Sequence, residues 1–152
     1  MNRSRQIFIT VVMFLLLFSA MAYGDTWTTA KRLTNNAGYS ESPAIALNGQ
    51  NIYVVWRDST PGNDEIYFKK SDNGGITWTT KERLSWNAGS SVFPVIAVDG
   101  SNIYVVWDDA TSGNSEIYFK KSIDEGATWT ASKRLTNNAD RSFLPKIAVK
   151  NS

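Results

Sequence analysis

One interval governs this chain: shifted by 51 residues and laid over itself, the sequence matches repeatedly. Trp27, Trp78 and Trp129 share that spacing, as do Arg32, Arg83 and Arg134, Leu33, Leu84 and Leu135, and Pro43, Pro94 and Pro145. Ile52 and Ile103, Trp56 and Trp107, and the pairs Lys69-Lys70 and Lys120-Lys121 keep it too. Such a self-match means that one supersecondary unit is copied, each copy burying its apolar face against its neighbour.

Each period reads as strands. Ala44-Ile45-Ala46-Leu47 is a short apolar run closed by Asn48-Gly49, which predicts a buried strand followed by a tight hairpin turn. Ile52 to Trp56 is β-branched and aromatic without a polar break, the pattern of a central strand covered on both faces. A turn-rich stretch from Asp58 to Asn63 leads into Glu65 to Lys69, and Trp78 to Leu84, with polar residues interleaved, reads as an edge strand. These are strands A, B, C and D of one unit, residues 44–84, and residues 95–135 repeat the set. The expected fold is therefore all-β, a segment of β-propeller built from four-stranded antiparallel blades. Residues 26–34 match a lone strand D and residues 146–149 a lone strand A, with no B and C between them. The phase of the repeat predicts a truncated reading frame, or else one piece of an assembly in which copies share blades.

The first residues stand outside the repeat. Arg3 and Arg5 precede the apolar run Ile7 to Phe18, and Ala20-Met21-Ala22 offers small residues where a signal peptidase reads. Residues 1–24 are expected to be an export signal, cut after Ala22 or after Gly24, leaving residues 25–152 secreted or in the cell envelope. The alternative is an uncleaved anchor, since Ile7 to Tyr23 barely reaches the roughly 17 residues that a spanning helix needs. The formal net charge of +2 rests entirely on Arg3 and Arg5. The rest of the chain is neutral, which argues against nucleic acid as a partner and, once the signal is removed, against a membrane.

The turn between strands C and D is the most specific element. Ser122-Ile123-Asp124-Glu125-Gly126-Ala127-Thr128-Trp129 resembles the Asp box, S-x-D-x-G-x-T-W, of the sialidase-like (BNR-repeat) β-propellers, and it agrees at every fixed position. Ser71, Asn73, Gly75, Thr77 and Trp78 repeat the box with Asn in the Asp place, and Gly24-Asp25-Thr26-Trp27 keeps only its end. The resemblance spans roughly residues 24–152. It implies that the boxes are structural and lie on the rim, away from any catalytic centre. The residue types agree: Asp or Asn can accept backbone hydrogen bonds from two residues on, Gly supplies positive φ, and Trp anchors the hairpin by burying its ring between blades.

The chain has no His and no Cys, so imidazole and thiolate chemistry, zinc sites of those ligands and disulfides are all excluded. Oxygen ligands for Ca²⁺ at Asp58, Asn63, Asp64 and Glu65 match no defined calcium loop, and Ser115 replaces Asp64 in the second copy; no metal and no cofactor are expected. Sialidase chemistry, as the resemblance implies it, needs three Arg on the substrate carboxylate, a Tyr nucleophile with its Glu, and an Asp acid/base. The first of those Arg belongs two residues before a strand A Pro, where this chain has Glu41, Val92 and Phe143. Arg32, Arg83 and Arg134 are copied in every period and so read as scaffold. Tyr67 with Glu65, and Tyr118 with Glu116, are copied as well. Only Arg57 and Arg141 break the pattern, and these two are the candidate ligand contacts. No catalytic residue is assigned. The expected function is a non-enzymatic binding or scaffold module for carbohydrate or protein; the alternative is the N-terminal piece of an exo-α-sialidase or related glycoside hydrolase with its catalytic residues beyond Ser152.

Overall fold

A computed structural model describes residues 28–150. The chain divides into two compact units, residues 1–31 and residues 32–152. Of the first, only residues 28–31 are described, without a strand, and the expected export signal lies outside the described residues.

The second unit is all-β, two four-stranded antiparallel sheets. Strands β1 (Ser40–Asn48), β2 (Asn51–Asp58), β3 (Glu65–Ser71) and β4 (Glu82–Arg83) form the first in sequential order; β5 (Ser91–Asp99), β6 (Asn102–Asp109), β7 (Glu116–Ser122) and β8 (Lys133–Arg134) form the second. Sequential hairpins follow from the turns: Asn48 pairs with Asn51 and Asp99 with Asn102 across two-residue loops whose glycines, Gly49 and Gly100, have φ of 60° and 55°.

The two sheets stack in one sense. Tyr53, Val55, Ile66 and Phe68 of the first sheet meet Ile96, Ile103, Val105 and Trp107 of the second in a single core. The side chains that the second sheet presents are the 51-residue equivalents of Ile45, Ile52, Val54 and Trp56, which lie on the opposite face of the first sheet. The back of one sheet thus covers the front of the next. Burial follows that rule: Ile96 is 7% exposed and its equivalent Ile45 is 62% exposed, while Leu84 is 1% exposed and Leu135 is 51% exposed. Burying a side chain such as Ile96 is worth about 1.5–3 kcal/mol.

Three expectations are corrected by this arrangement. Residues 44–47 are not a buried strand, because Ala44 and Ala46 pack on the core while Ile45 and Leu47 face outward. Strand D shrinks to two paired residues in each sheet. Thr79 N–H donates to Lys70 O at 2.9 Å, but Tyr67 pairs with Arg83 and Phe68 with Glu82, so the ladder slips by one residue between these points and breaks. Residues 32–34 and 146–149, expected as lone strands, form no ladder.

Strands β1 and β5 carry the same irregularity, a register shift between Glu41 and Ala44 and between Val92 and Val95. At its centre Ser42 and Phe93 adopt φ of 51°, and Leu144 takes 53° at the third copy. Each stands immediately before a Pro, where steric restriction already favours extended backbone. A left-handed non-glycine residue costs roughly 1–2 kcal/mol.

The second box turn is wedged against the first sheet. A Cβ built on Gly126, whose φ is 84°, would lie 2.7 Å from the Phe68 ring, whereas at Gly75 (φ 89°) the nearest atom is 3.6 Å away. Both substitutions to Ala meet the positive-φ penalty, but only one also clashes. Gly126→Ala is therefore expected to destabilise the protein by at least about 1 kcal/mol more than Gly75→Ala in urea unfolding; equal losses would contradict this packing.

Candidate functional site

Two kinds of structure occupy opposite ends of the sheets. The box turns lie at the end of the tight hairpins, and the loops from β2 to β3 and from β6 to β7 lie at the other.

In the boxes the polar side chains replace a missing ladder. Ser122 Oγ accepts from Gly126 N–H at 2.8 Å, and Asp124 Oδ1 accepts from Thr128 N–H at 2.9 Å. Ser71 and Asn73 repeat both bonds, at 2.8 and 2.9 Å, to Gly75 and Thr77. The Asp/Asn acceptor thus reaches four residues ahead, not two; the donor two residues ahead of Ser is the Asp/Asn N–H itself, at 3.3 and 3.4 Å. Thr128 donates its hydroxyl to Asp124 at 2.5 Å, while Asn73 donates its amide to the Thr77 hydroxyl at 2.7 Å. A rotatable hydroxyl serves either polarity, which is how Asn substitutes for Asp. The Thr128 hydroxyl first, then Ser122 and the Thr128 N–H, lowers the Asp124 carboxyl to about 2. Trp129 meets Phe68 edge-on at 5.1 Å, between the sheets, whereas Trp78 packs on the outer cluster of Val54, Trp56 and Tyr67.

At the loop end sits a second repeated device, a set of buried carboxylates. Asp109 accepts from Trp107 Nε1 at 3.1 Å, Ser91 Oγ at 2.9 Å and Thr111 N–H at 3.0 Å, and it also accepts from Asn87. Asp58 has the matching partners Trp56, Ser40, Thr60 and Asn36. Glu65 binds Arg83 at 2.6 Å and the Asn87 N–H at 3.1 Å, and takes the Ser85 hydroxyl. Glu116 likewise holds Arg134 at 2.9 Å and the Asn138 N–H at 2.9 Å. The Thr136 hydroxyl, against the opposing effect of burial, with Asn138 and Arg134 in support, holds Glu116 at about 2. Tyr67 and Tyr118 share a face with these glutamates but stack on Trp56 at 6.0 Å and Trp107 at 6.1 Å.

Against this repeated background three side chains stand out, Arg57, Arg141 and Trp86, none of which has a residue of its own type at the equivalent positions. Arg57 is clamped by Glu41 and by Asp64, the latter at 2.7 Å. In the second sheet the whole triad changes together, to Asp108, Val92 and Ser115. Asp108 is buried and accepts the Leu144 N–H at 3.0 Å. Arg141 lies 5.8 Å from the Phe143 ring. Arg57, already neutralised by two carboxylates, and Arg141 thus have separate partners, and no other Arg joins them among these contacts.

The third singular position is Trp86, legible as the one aromatic residue in a slot that holds Asn35 and Asn137 in the other copies. It is 72% exposed, and the Arg83 guanidinium lies 4.2 Å from its ring. With Tyr67, Lys81, Glu82, Lys120 and Trp129 it borders an open cleft of about 640 Å³ around edge strand β4. Burial raises the Glu82 carboxyl and lowers the Lys120 ammonium from their ordinary values. Among the described residues no group of three or more carboxylates is arranged to hold a metal ion.

No protein-family model matches this sequence, and a search of the curated proteins returns no match.

Burial raises Asp108 to about 6, with the Leu144 N–H and Arg141 opposing. The folded state therefore holds a proton that the unfolded chain has released, and stability falls as pH rises from about 4 to about 6. Asp108→Asn keeps an acceptor for Leu144 without the charge. It is expected to stabilise the protein by about 1–2 kcal/mol at pH 7 and by nearly nothing at pH 4, measured by urea unfolding at both; a gain that does not depend on pH would refute the assignment.

Proposed function

We propose that this chain is a sialidase-like Asp-box propeller segment, exported from the cytoplasm, that works as a binding or scaffold module for carbohydrate or protein. The carrying observation is the stacking of its two sheets, back on front, with a box turn at the same end of each. Interfaces of this heterologous kind can be repeated around an axis, and propeller blades do so.

The charged groups favour binding over hydrolysis. Arg83 and Arg134 are tied to Glu65 and Glu116, Arg57 is tied to Glu41 and Asp64, and both Tyr/Glu pairs are spent on the repeated scaffold. A clamp for a substrate carboxylate needs guanidinium groups with spare donors converging on one point. The purified chain is expected to release no fluorophore from a 4-methylumbelliferyl sialoside above blank, while being retained on an array of immobilised glycans or of extracellular proteins. Turnover of the sialoside would favour the hydrolase reading, and retention on neither array would sink the module reading.

A further inference from the structure

We propose that Trp86 is the stacking platform of a binding site for a neutral pyranose ring, in the cleft around strand β4. The inference rests on the binding-module reading and names the ligand class and the residue.

The fold itself does not need this indole. The segments Leu33-Thr34-Asn35-Asn36, Leu84-Ser85-Trp86-Asn87 and Leu135-Thr136-Asn137-Asn138 occupy one position of the repeat. In the second segment, Leu84 fills the core, Ser85 and the Asn87 N–H bind Glu65, and the Asn87 side chain binds Asp109. Trp86 contributes to none of these. Its equivalents are Asn, so an indole here is an addition to a scaffold that is complete without it. An exposed Trp costs solubility and draws attention to what it could touch.

The indole is also preorganised. Arg83 is fixed by Glu65 at 2.6 Å and by the Ser85 carbonyl at 2.7 Å, and its guanidinium stacks against the ring at 4.2 Å. Arg134 is held in the same way by Glu116 and the Thr136 carbonyl, and the position of the indole is taken there by Asn137. The cationic base is repeated, and the ring it supports is not. A rigid aromatic plane loses little entropy when a ligand settles on it.

The cleft's chemistry selects the ligand. A pyranose presents a patch of C–H groups for an aromatic face and hydroxyls around its edge. Beside Trp86 the cleft offers the Glu82 carboxyl as acceptor and the ammonium groups of Lys81 and Lys120 as donors. Each cation has a nearby carboxylate: Arg83 has Glu65, Lys81 lies 3.9 Å from Asp58, and Lys120 feels Glu82. Charges so compensated favour a neutral sugar over a sialic or uronic acid.

The test uses the full chain as secreted, labelled with ¹⁵N, and reads indole Nε1–H resonances. Trp86→Asn installs the residue of the other two copies and so keeps the fold; a thermal midpoint within about 2 °C of the parent confirms that. The resonance absent from this variant is Trp86. Methyl β-D-galactopyranoside, cellobiose and N,N′-diacetylchitobiose are titrated in turn, with N-acetylneuraminic acid and a tryptic peptide mixture as the other arms. At least one neutral sugar should move the Trp86 resonance in a saturable way, with roughly tenfold weaker binding to Trp86→Asn and intermediate binding to Trp86→Phe. Sugar binding that Trp86→Asn leaves unchanged overturns this site and leaves the module reading standing. A Trp86 resonance that no neutral sugar moves, or that only the acid or the peptides move, overturns the ligand class proposed.

Discussion

Glu65 is the contact on which the stacking depends. It belongs to the first sheet, yet its carboxylate gathers, besides Arg83 of β4, Ser85 and the Asn87 N–H from the segment that leaves that sheet, and Ser91 Oγ of the second sheet stands 3.4 Å from it. A buried carboxylate without such partners would carry a desolvation cost of several kcal/mol. Asn63 in the loop before β3 also donates to it, at 3.2 Å, but Ser85 and Asn87 come from the connecting segment, so satisfying the charge constrains that segment's path. Once that path is set, Asn87 reaches Asp109, Leu84 drops into the core, and the two sheets face each other in a single register. Direction comes from electrostatics and hydrogen bonds here, and cohesion from apolar burial.

Tight repetition also explains where variation can be tolerated. Gly89 lies so close to the Ala110-Thr111 backbone that a Cβ would fall 2.4 Å from Thr111 N, and Gly38 meets Thr60 in the same way. Within that segment one position carries no such constraint, and it holds Asn35, Trp86 and Asn137 in the three copies. The coordinated replacement of Glu41, Arg57 and Asp64 by Val92, Asp108 and Ser115 is a different case. A buried or half-buried charge cannot change alone, because removing one partner strands the other. The three positions therefore change as a set, and the second sheet satisfies Asp108 through the Leu144 N–H instead.

Much of this was readable in the amino-acid pattern because the period exposes equivalences that a single copy hides. Strands β2, β3, β6 and β7 announce themselves through continuous β-branched and aromatic residues. The fourth strands are shorter than their pattern: Trp78 to Leu84 has the alternation of an edge strand, but the box turn feeds it in one residue out of step. The run around Ile45 looks like a buried strand, but apolarity says nothing about whether a neighbour is there to cover it, and Ile45 is exposed. Glu65 and Glu116 looked like residues at strand starts, since the partners that make them central lie about 20 residues onward. Trp86 is hard to single out for a related reason: it departs from the repeat, as Tyr39, Phe93 and Phe143 also do, and the period marks only what the copies share.

The back-on-front contact has an evolutionary corollary. Because the two sides of the interface are different and every copy carries both, duplicating one 51-residue stretch of coding sequence adds a sheet together with everything needed to dock it. No new contact has to be invented, and the junctions on either side keep their geometry. Nucleotide changes within one copy, by contrast, mark that copy and leave the others as they were. A gene of this kind can lengthen by copying and acquire individuality by point mutation, and a lone indole amid asparagines is the trace that the second process leaves on the first.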